Sequence, residues 1–172
     1  MNRNIRVDTH EIHGRGRSMG IALITVLLAA IFIFGAWNTA RAQATAGNDR
    51  EAVRMTVDTV FQGWRSLNLN LYMSVWDGAA VQYLKKGTTR NYSQIRADRA
   101  AAFPTYSRVD ASWIADSIEV YGDKATVVVR YSMTFYKKDG RVIREDEKEF
   151  YVLKRYPDAT WSIVENYDYL PR

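Results

Sequence analysis

The chain has 172 residues, a formal charge of +5 and no cysteine. The missing cysteines exclude a disulfide framework, a thiolate nucleophile, thiolate-held metals and a lipidated amino-terminal cysteine. Arg3, Arg6, Arg15, Arg17 and Arg41 against Asp8 and Glu11 give the first 44 residues +3 and leave only +2 for the rest, which does not describe a nucleic-acid binder.

Residues 1–19 form a basic leader, and Gly20 to Trp37 follow as 18 uncharged residues. A helix of that length spans about 27 Å, close to the hydrocarbon core of a bilayer. Four arginines before it set the amino-terminus inside and the remainder outside. The stretch reads as a signal-peptide apolar region or a membrane anchor. Ala40-Arg41-Ala42 and Ala42-Gln43-Ala44 fit the small-x-small pattern of signal peptidase sites within the linker 38–47, whereas the length of the apolar run argues for retention. The expected location is the periplasm or the outer face of the inner membrane.

A single domain is expected over 48–172. Asn48 and Glu51 are spaced as a capping box, and Val53, Val57, Val60, Phe61 and Trp64 then recur at helical spacing. "LNLNLYMSVWDG" predicts a second, shorter helix, with Leu71 and Val75, and Tyr72 and Trp76, paired four apart and Gly78 closing it. "AAVQYLKKG" predicts a short strand, and a third helix starts near Tyr92-Ser93 and must stop before Pro104. The period then changes to two. "SWIADSIEVYGD" and "KATVVVRYSMTFY" flank a Gly122-Asp123 turn, with Ala125, Val127, Val129, Tyr131, Met133 and Phe135 on one side of the second strand. Lys138-Asp139-Gly140 makes the next turn, "RVIREDEKEFYVLKR" returns, Pro157-Asp158 turns again, and "TWSIVENYDYL" is the last strand. The class is α+β: three helices on a strongly curved, mainly antiparallel sheet that wraps around the first helix.

The stretches "FQGWRSLNLNLYMSVW", "RAAAFPTYSRVD", "VYGDKATVVVRYSM" and "FYVLKRYPDATWSIVEN" carry a resemblance covering about 125 residues. In order and in the Trp161-Ser162-Ile163 ending, the chain resembles the nuclear transport factor 2-like superfamily, including its SnoaL-like and ketosteroid-isomerase-like groups. It is closest in flavour to small periplasmic domains appended to some L,D-transpeptidases. The resemblance implies a cone-shaped α+β barrel that commonly pairs through its sheet. Ketosteroid isomerases place a carboxylate base and a tyrosine donor in an apolar cone. On that analogy Tyr72, Trp76, Tyr83, Phe103 and Tyr131 are ligand-pocket candidates, with Asp77 or Asp110 near the mouth. The same aromatics also suit a filled core.

Both histidines, His10 and His13, lie in the leader, so Ser-His-Asp hydrolysis and histidine-ligated metals are absent from the exported part. No catalytic residue, metal or cofactor is assigned. Lys85, Lys86 and Arg90, with Arg96 and Arg99 three apart on the next helix, form a basic sector that suits anionic lipid or acidic wall polymer, or simply a solvated face. The alternation in "REDEKE" predicts a solvent-facing edge strand. All eleven tyrosines follow the apolar run, and Tyr167 and Tyr169 near the end suit a dimer or partner surface. The first functional expectation is an exported envelope module that binds a partner protein or cell-wall component, with a homodimer as an option, the membrane as partner if residues 20–37 stay, and no catalysis or nucleic acid. The alternatives are a SnoaL-like enzyme or ligand binder using the cone, and a membrane-anchored secretion subunit resembling the VirB-type inner-membrane component.

Overall fold

The computed structural model describes residues 47–169. The apolar run 20–37 and the cleavage candidates Ala40, Ala42 and Ala44 lie outside those residues. Among the described residues no helix is long and apolar enough to cross a membrane.

The first helix, α1, covers residues 47–66. Val53, Val57, Val60 and Phe61 are buried along one stripe, and Trp64 packs against them half-buried. Residues 47 and 48 are already helical, so Asn48 lies within the helix and not at its cap. Asp49 instead accepts Arg155 Nη1 on both oxygens, at 2.9 and 3.0 Å. At the other end Leu67 takes the left-handed conformation, φ 51°, where glycine is usual. Leu67 N–H donates to Trp64 and Asn68 N–H to Gly63, the paired bonds of a Schellman stop. Packing of Leu67 against the core offsets the conformational strain.

Asn68 then caps the short helix α2, Leu69–Met73, its Oδ1 accepting from Leu71 N at 3.0 Å. This helix is shorter than expected. Val75 and Trp76, β-branched and aromatic, go to the sheet: Ile163 N–H donates to Val75 O at 2.8 Å, and Trp76 opens β1, Trp76–Tyr83. Gly78 therefore sits in a strand and closes no helix. An unpredicted three-residue strand, β2 (Thr89–Asn91), hairpins onto β1. α3 (Tyr92–Ala102) begins with a complete Asn91/Gln94 capping box and gives way at Phe103 to one 3-10 turn, where Pro104 blocks it.

β3 (Tyr106–Tyr121), β4 (Lys124–Lys137), β5 (Val142–Arg155) and β6 (Trp161–Tyr167) form the antiparallel meander, with β3 starting six residues before the expected Ser112. The six-stranded sheet runs β2-β1-β6-β5-β4-β3, and β1 is parallel to β6 while every other neighbouring pair is antiparallel. Register shifts in β3 at Tyr106/Arg108 and Ala115/Ser117, and in β5–β6 at Val152/Leu153, supply the bulges that bend a long sheet. Phe61 stacks on Trp113 at 5.5 Å and meets Tyr131 at 5.9 Å, so α1 lies against the inner face of β3 and β4. Trp113 Nε1 donates to Asp58 at 2.8 Å and fixes that crossing.

The acidic strand differs from expectation. β5 is hydrogen-bonded to β4 on one side and β6 on the other, so "REDEKE" is not an edge. Glu145, Glu147 and Glu149 share the parity of buried Tyr151 and Leu153, and Arg144, Asp146 and Lys148 take the outer face.

Candidate polar cavity

Period-two alternation decides which strand residues face inward. On β4 the inward set is Tyr131, Met133 and Phe135; on β5 it is Glu145, Glu149 and Tyr151; on β1 and β6 it is Gln82 and Asn166, which share a register pair's face. Val60, Phe61 and Trp64 of α1, Tyr72 of α2, and Asp98 and Arg99 of α3 close the space over them, leaving a cavity of about 310 Å³. Unlike the apolar cone implied by the resemblance, its wall carries a guanidinium, three carboxyl groups, two side-chain amides and several phenols.

Arg99 points inward from α3. Its guanidinium carbon lies 4.8 Å from the centre of the Trp64 ring and 5.5 Å from that of Tyr72, and Nη1 donates to Asp98 at 2.6 Å. Burial works against its charge, but Tyr72, Asp98 and Glu149 outweigh that, so it stays a cation. Its Nε is buried without a partner.

Glu149 is half-buried on β5 and borders the cavity. Tyr151 donates its hydroxyl to Glu149 Oε2, and Asn166 Nδ2 donates to the same oxygen at 3.3 Å. Burial raises the carboxyl's pKa; the Tyr151 bond, Arg99 and Asn166 oppose this only in part, and Asp168 adds to it. Glu145 is raised as well, first by burial and then by Glu147. The phenols of Tyr131, Tyr151 and Tyr72 are all pushed up by burial, so they remain neutral donors. A buried acid of raised pKa facing a fixed cation is an arrangement for moving protons and stabilising new negative charge.

Among the pocket candidates, Tyr72 and Tyr131 line the cavity. Phe103 and Trp76 sit behind the wall, at 5.9 and 5.7 Å from the Tyr72 ring. Tyr83 alternates to the opposite face, stacked on Tyr167 at 4.4 Å, with Tyr169 edge-on to Tyr167 at 5.9 Å. Asp110 is exposed on β3 and pairs with Arg108 at 3.2 Å; Asp77 accepts the Tyr156 hydroxyl. The basic sector is dispersed. Lys85 pairs with Glu147, Arg90 with Asp98 at 3.3 Å, and Arg96 donates to Asn70 at 3.2 Å; Arg99 is inside the cavity and Lys86 is exposed.

Sequence reasoning misses Glu149, Gln82, Asn166 and Tyr151. The available signal is parity: a carboxylate two residues before Tyr151 and four before Leu153 must face inward if they do. A wider depression over β3–β5, of about 540 Å³, is less suited to chemistry. Arg130 and Lys148 on its rim are both paired with Asp116 and leave no buried group unsatisfied. Among the described residues no cluster of three or more acidic side chains is arranged to hold a metal ion.

No family model matches the chain, and no curated protein matches it in sequence. Solved structures do match in shape. A conserved protein from Planctomyces limnophilus is 12% identical with a TM-score of 0.67, over 70% of this chain and 94% of its own. A nuclear transport factor 2-like superfamily protein from Salmonella enterica is 18% identical with a TM-score of 0.60, over 70% and 89%. A ketosteroid isomerase-like protein from Erwinia carotovora is 12% identical with a TM-score of 0.59, over 68% and 92%. The chain has the nuclear transport factor 2-like fold, one that houses ligand-binding and enzymatic proteins, and identities this low carry fold alone.

Proposed function

We propose that the chain is a small-molecule enzyme that moves a proton on a carbonyl compound held in the cone. The observation that carries this is Glu149, a half-buried carboxyl held by Tyr151 and Asn166, its pKa raised by burial, on the wall of a cavity that also holds Arg99. A neutral substrate would lose a proton from the carbon next to its carbonyl to Glu149. The electron pair of that C–H bond would pass to the carbonyl oxygen, where Arg99 and a neutral phenol, Tyr72 or Tyr131, meet the developing charge. Return of the proton to a second carbon completes an isomerisation; loss of a leaving group completes an elimination. The likeness of one structural neighbour to ketosteroid isomerases, which run such chemistry in a cone, supports the reading. The test is incubation of the protein with a panel of small ketones and amides in D2O, followed by proton NMR. Deuterium entering α-carbon positions of panel members that bind is the expected result. Binding without exchange in any member would leave a binding protein and sink the enzymatic reading.

The site works outside the cytoplasm if residues 20–37 direct export, and any envelope partner would be met there. Mass spectrometry of the protein from its native envelope is expected to show a chain beginning at Gln43 or Thr45, after Ala42 or Ala44. Recovery of the intact amino-terminus would instead mark a retained anchor.

A further inference from the structure

The polar floor of the cavity has a direction, set by Glu149. A carboxylate oxygen only accepts hydrogen bonds, so Asn166 must turn its NH2 group toward Glu149 Oε2. That leaves Asn166 Oδ1 facing β1, where Gln82 Nε2 donates to it at 2.8 Å. Gln82 is 3% exposed, and this bond commits its NH2 end. Its other end, Oε1, is buried with no partner. An orphaned acceptor at such depth is unfavourable unless something donates to it. Gln82 is among the residues bordering the cavity, so the cavity is the side from which a ligand's donor would approach. On the α3 side the unpartnered atom has the opposite polarity: Arg99 Nε is a donor.

Charge narrows the ligand further. Besides its neutral phenols, the wall carries the acids Asp98, Glu145 and Glu149 against the one base Arg99, with Arg90 reaching Asp98 from outside. Carboxyl groups outnumber cations, so a second negative charge is disfavoured and an uncharged molecule is not.

We infer that Gln82 Oε1 is a specificity-determining acceptor, and that the cone selects small uncharged molecules pairing a carbonyl oxygen for Arg99 with an N–H or O–H donor for Gln82: primary amides and hydroxy ketones rather than simple ketones or carboxylic acids. The inference rests on the cone being the binding site proposed above, but not on proton transfer. Three probes of one size separate the terms. Benzamide has carbonyl and donor, acetophenone lacks the donor, and benzoate lacks the donor and carries charge.

Isothermal titration of the full chain with each probe is expected to give benzamide at least about tenfold tighter binding than either of the others, the worth of one good hydrogen bond in a dry site. Gln82→Leu is expected to cut the benzamide preference over acetophenone to about twofold or less while leaving acetophenone within about twofold of its original affinity. Acetophenone or benzoate matching benzamide on the unaltered protein overturns the inference, as does a preference that survives Gln82→Leu or failure of all three probes to bind at millimolar concentration. Should that variant not fold, the comparison of the three probes on the unaltered protein decides alone. The outcome is separable from the catalytic reading: a benzamide preference that Gln82→Leu abolishes, together with no deuterium exchange by the unaltered protein into any panel ketone that binds, would uphold selection by Gln82 and remove the proton transfer.

Discussion

Glu149→Gln is expected to lose proton transfer and gain stability in the same protein. A glutamine keeps an oxygen to accept from Tyr151 and Asn166, so the local bonds to Oε2 survive the change. It cannot take a proton from carbon. Loss of a positioned general base costs about 100- to 10,000-fold, so deuterium incorporation should fall below about a hundredth of the starting rate. The stability effect has a definite sign. The folded-state pKa of Glu149 is raised above the ordinary value of 4.5, first by burial. Its contribution is therefore fully present below the unfolded pKa and is lost as pH rises through the folded value. Toward high pH the folded protein must hold a carboxylate in a half-buried site, where the unfolded chain would leave it solvated. Removing that carboxylate should therefore stabilise the fold toward high pH, so the variant should be more stable than the native protein at pH 8. At pH 4, where the native side chain is protonated, the variant should show no such gain.

Urea unfolding at the two pH values reads this directly. Glu145 and Asp168 are also raised, so the variant keeps part of the downward slope toward high pH. A variant less stable than the native protein at pH 8 would mean that Arg99 stabilises the carboxylate by more than burial costs. Glu149 would then be half of a structural ion pair.

What was legible in the sequence follows the strength of each local signal. The stripe from Val53 to Trp64, the alternation from Ala125 to Phe135 and the stop before Pro104 rest on periodicity and covalent geometry, and the structure keeps all three. Leu71-Val75 and Tyr72-Trp76 have helical spacing, yet pairing with Ile163, in the last strand of the chain, draws Trp76 into the sheet. The Tyr72 and Trp76 rings still stack, but across a helix-to-strand junction. Local spacing cannot report a partner that distant. The cavity shows the same limit. Charged residues in "REDEKE" look solvated because charge is usually exposed; the position of β5 between two strands shows that it is no edge, and parity with Tyr151 and Leu153 turns Glu145, Glu147 and Glu149 to the inner face. Gln82 and Asn166 are plain polar residues in sequence. They become a relay because β1 and β6 are parallel neighbours that place them opposite each other.

Gly63→Ala is expected to destabilise the domain by about 3 kcal/mol, against the prediction of helix propensity. Within an ordinary helix this exchange gains about 1 kcal/mol, because alanine loses less backbone entropy on folding. Gly63 is not in an ordinary place. A Cβ there would stand 2.6 Å from both Cα and Cβ of Tyr72 and 2.7 Å from its backbone nitrogen. No rotamer relieves a clash between a Cβ and backbone, so α2 must move away from α1. Tyr72 would carry the displacement into its contacts with Trp64, Trp76 and Phe103, all centred within 6 Å. The Gly63 carbonyl also accepts the Asn68 bond that ends α1, so the turn between the helices is strained as well. A loss of this size lowers the melting temperature by on the order of 10 °C for a domain of this length. Gly78→Ala supplies the control: nothing lies within 4 Å of the point where its methyl group would stand and its φ is not left-handed, so its effect should stay within about 0.5 kcal/mol. Because Tyr72 lines the cavity, Gly63→Ala should also weaken benzamide binding in whatever fraction remains folded, whereas Gly78→Ala should not. Equal stability of the two variants would mean that α2 yields freely, and that the wall of the cavity beside Arg99 is far softer than its aromatic packing implies.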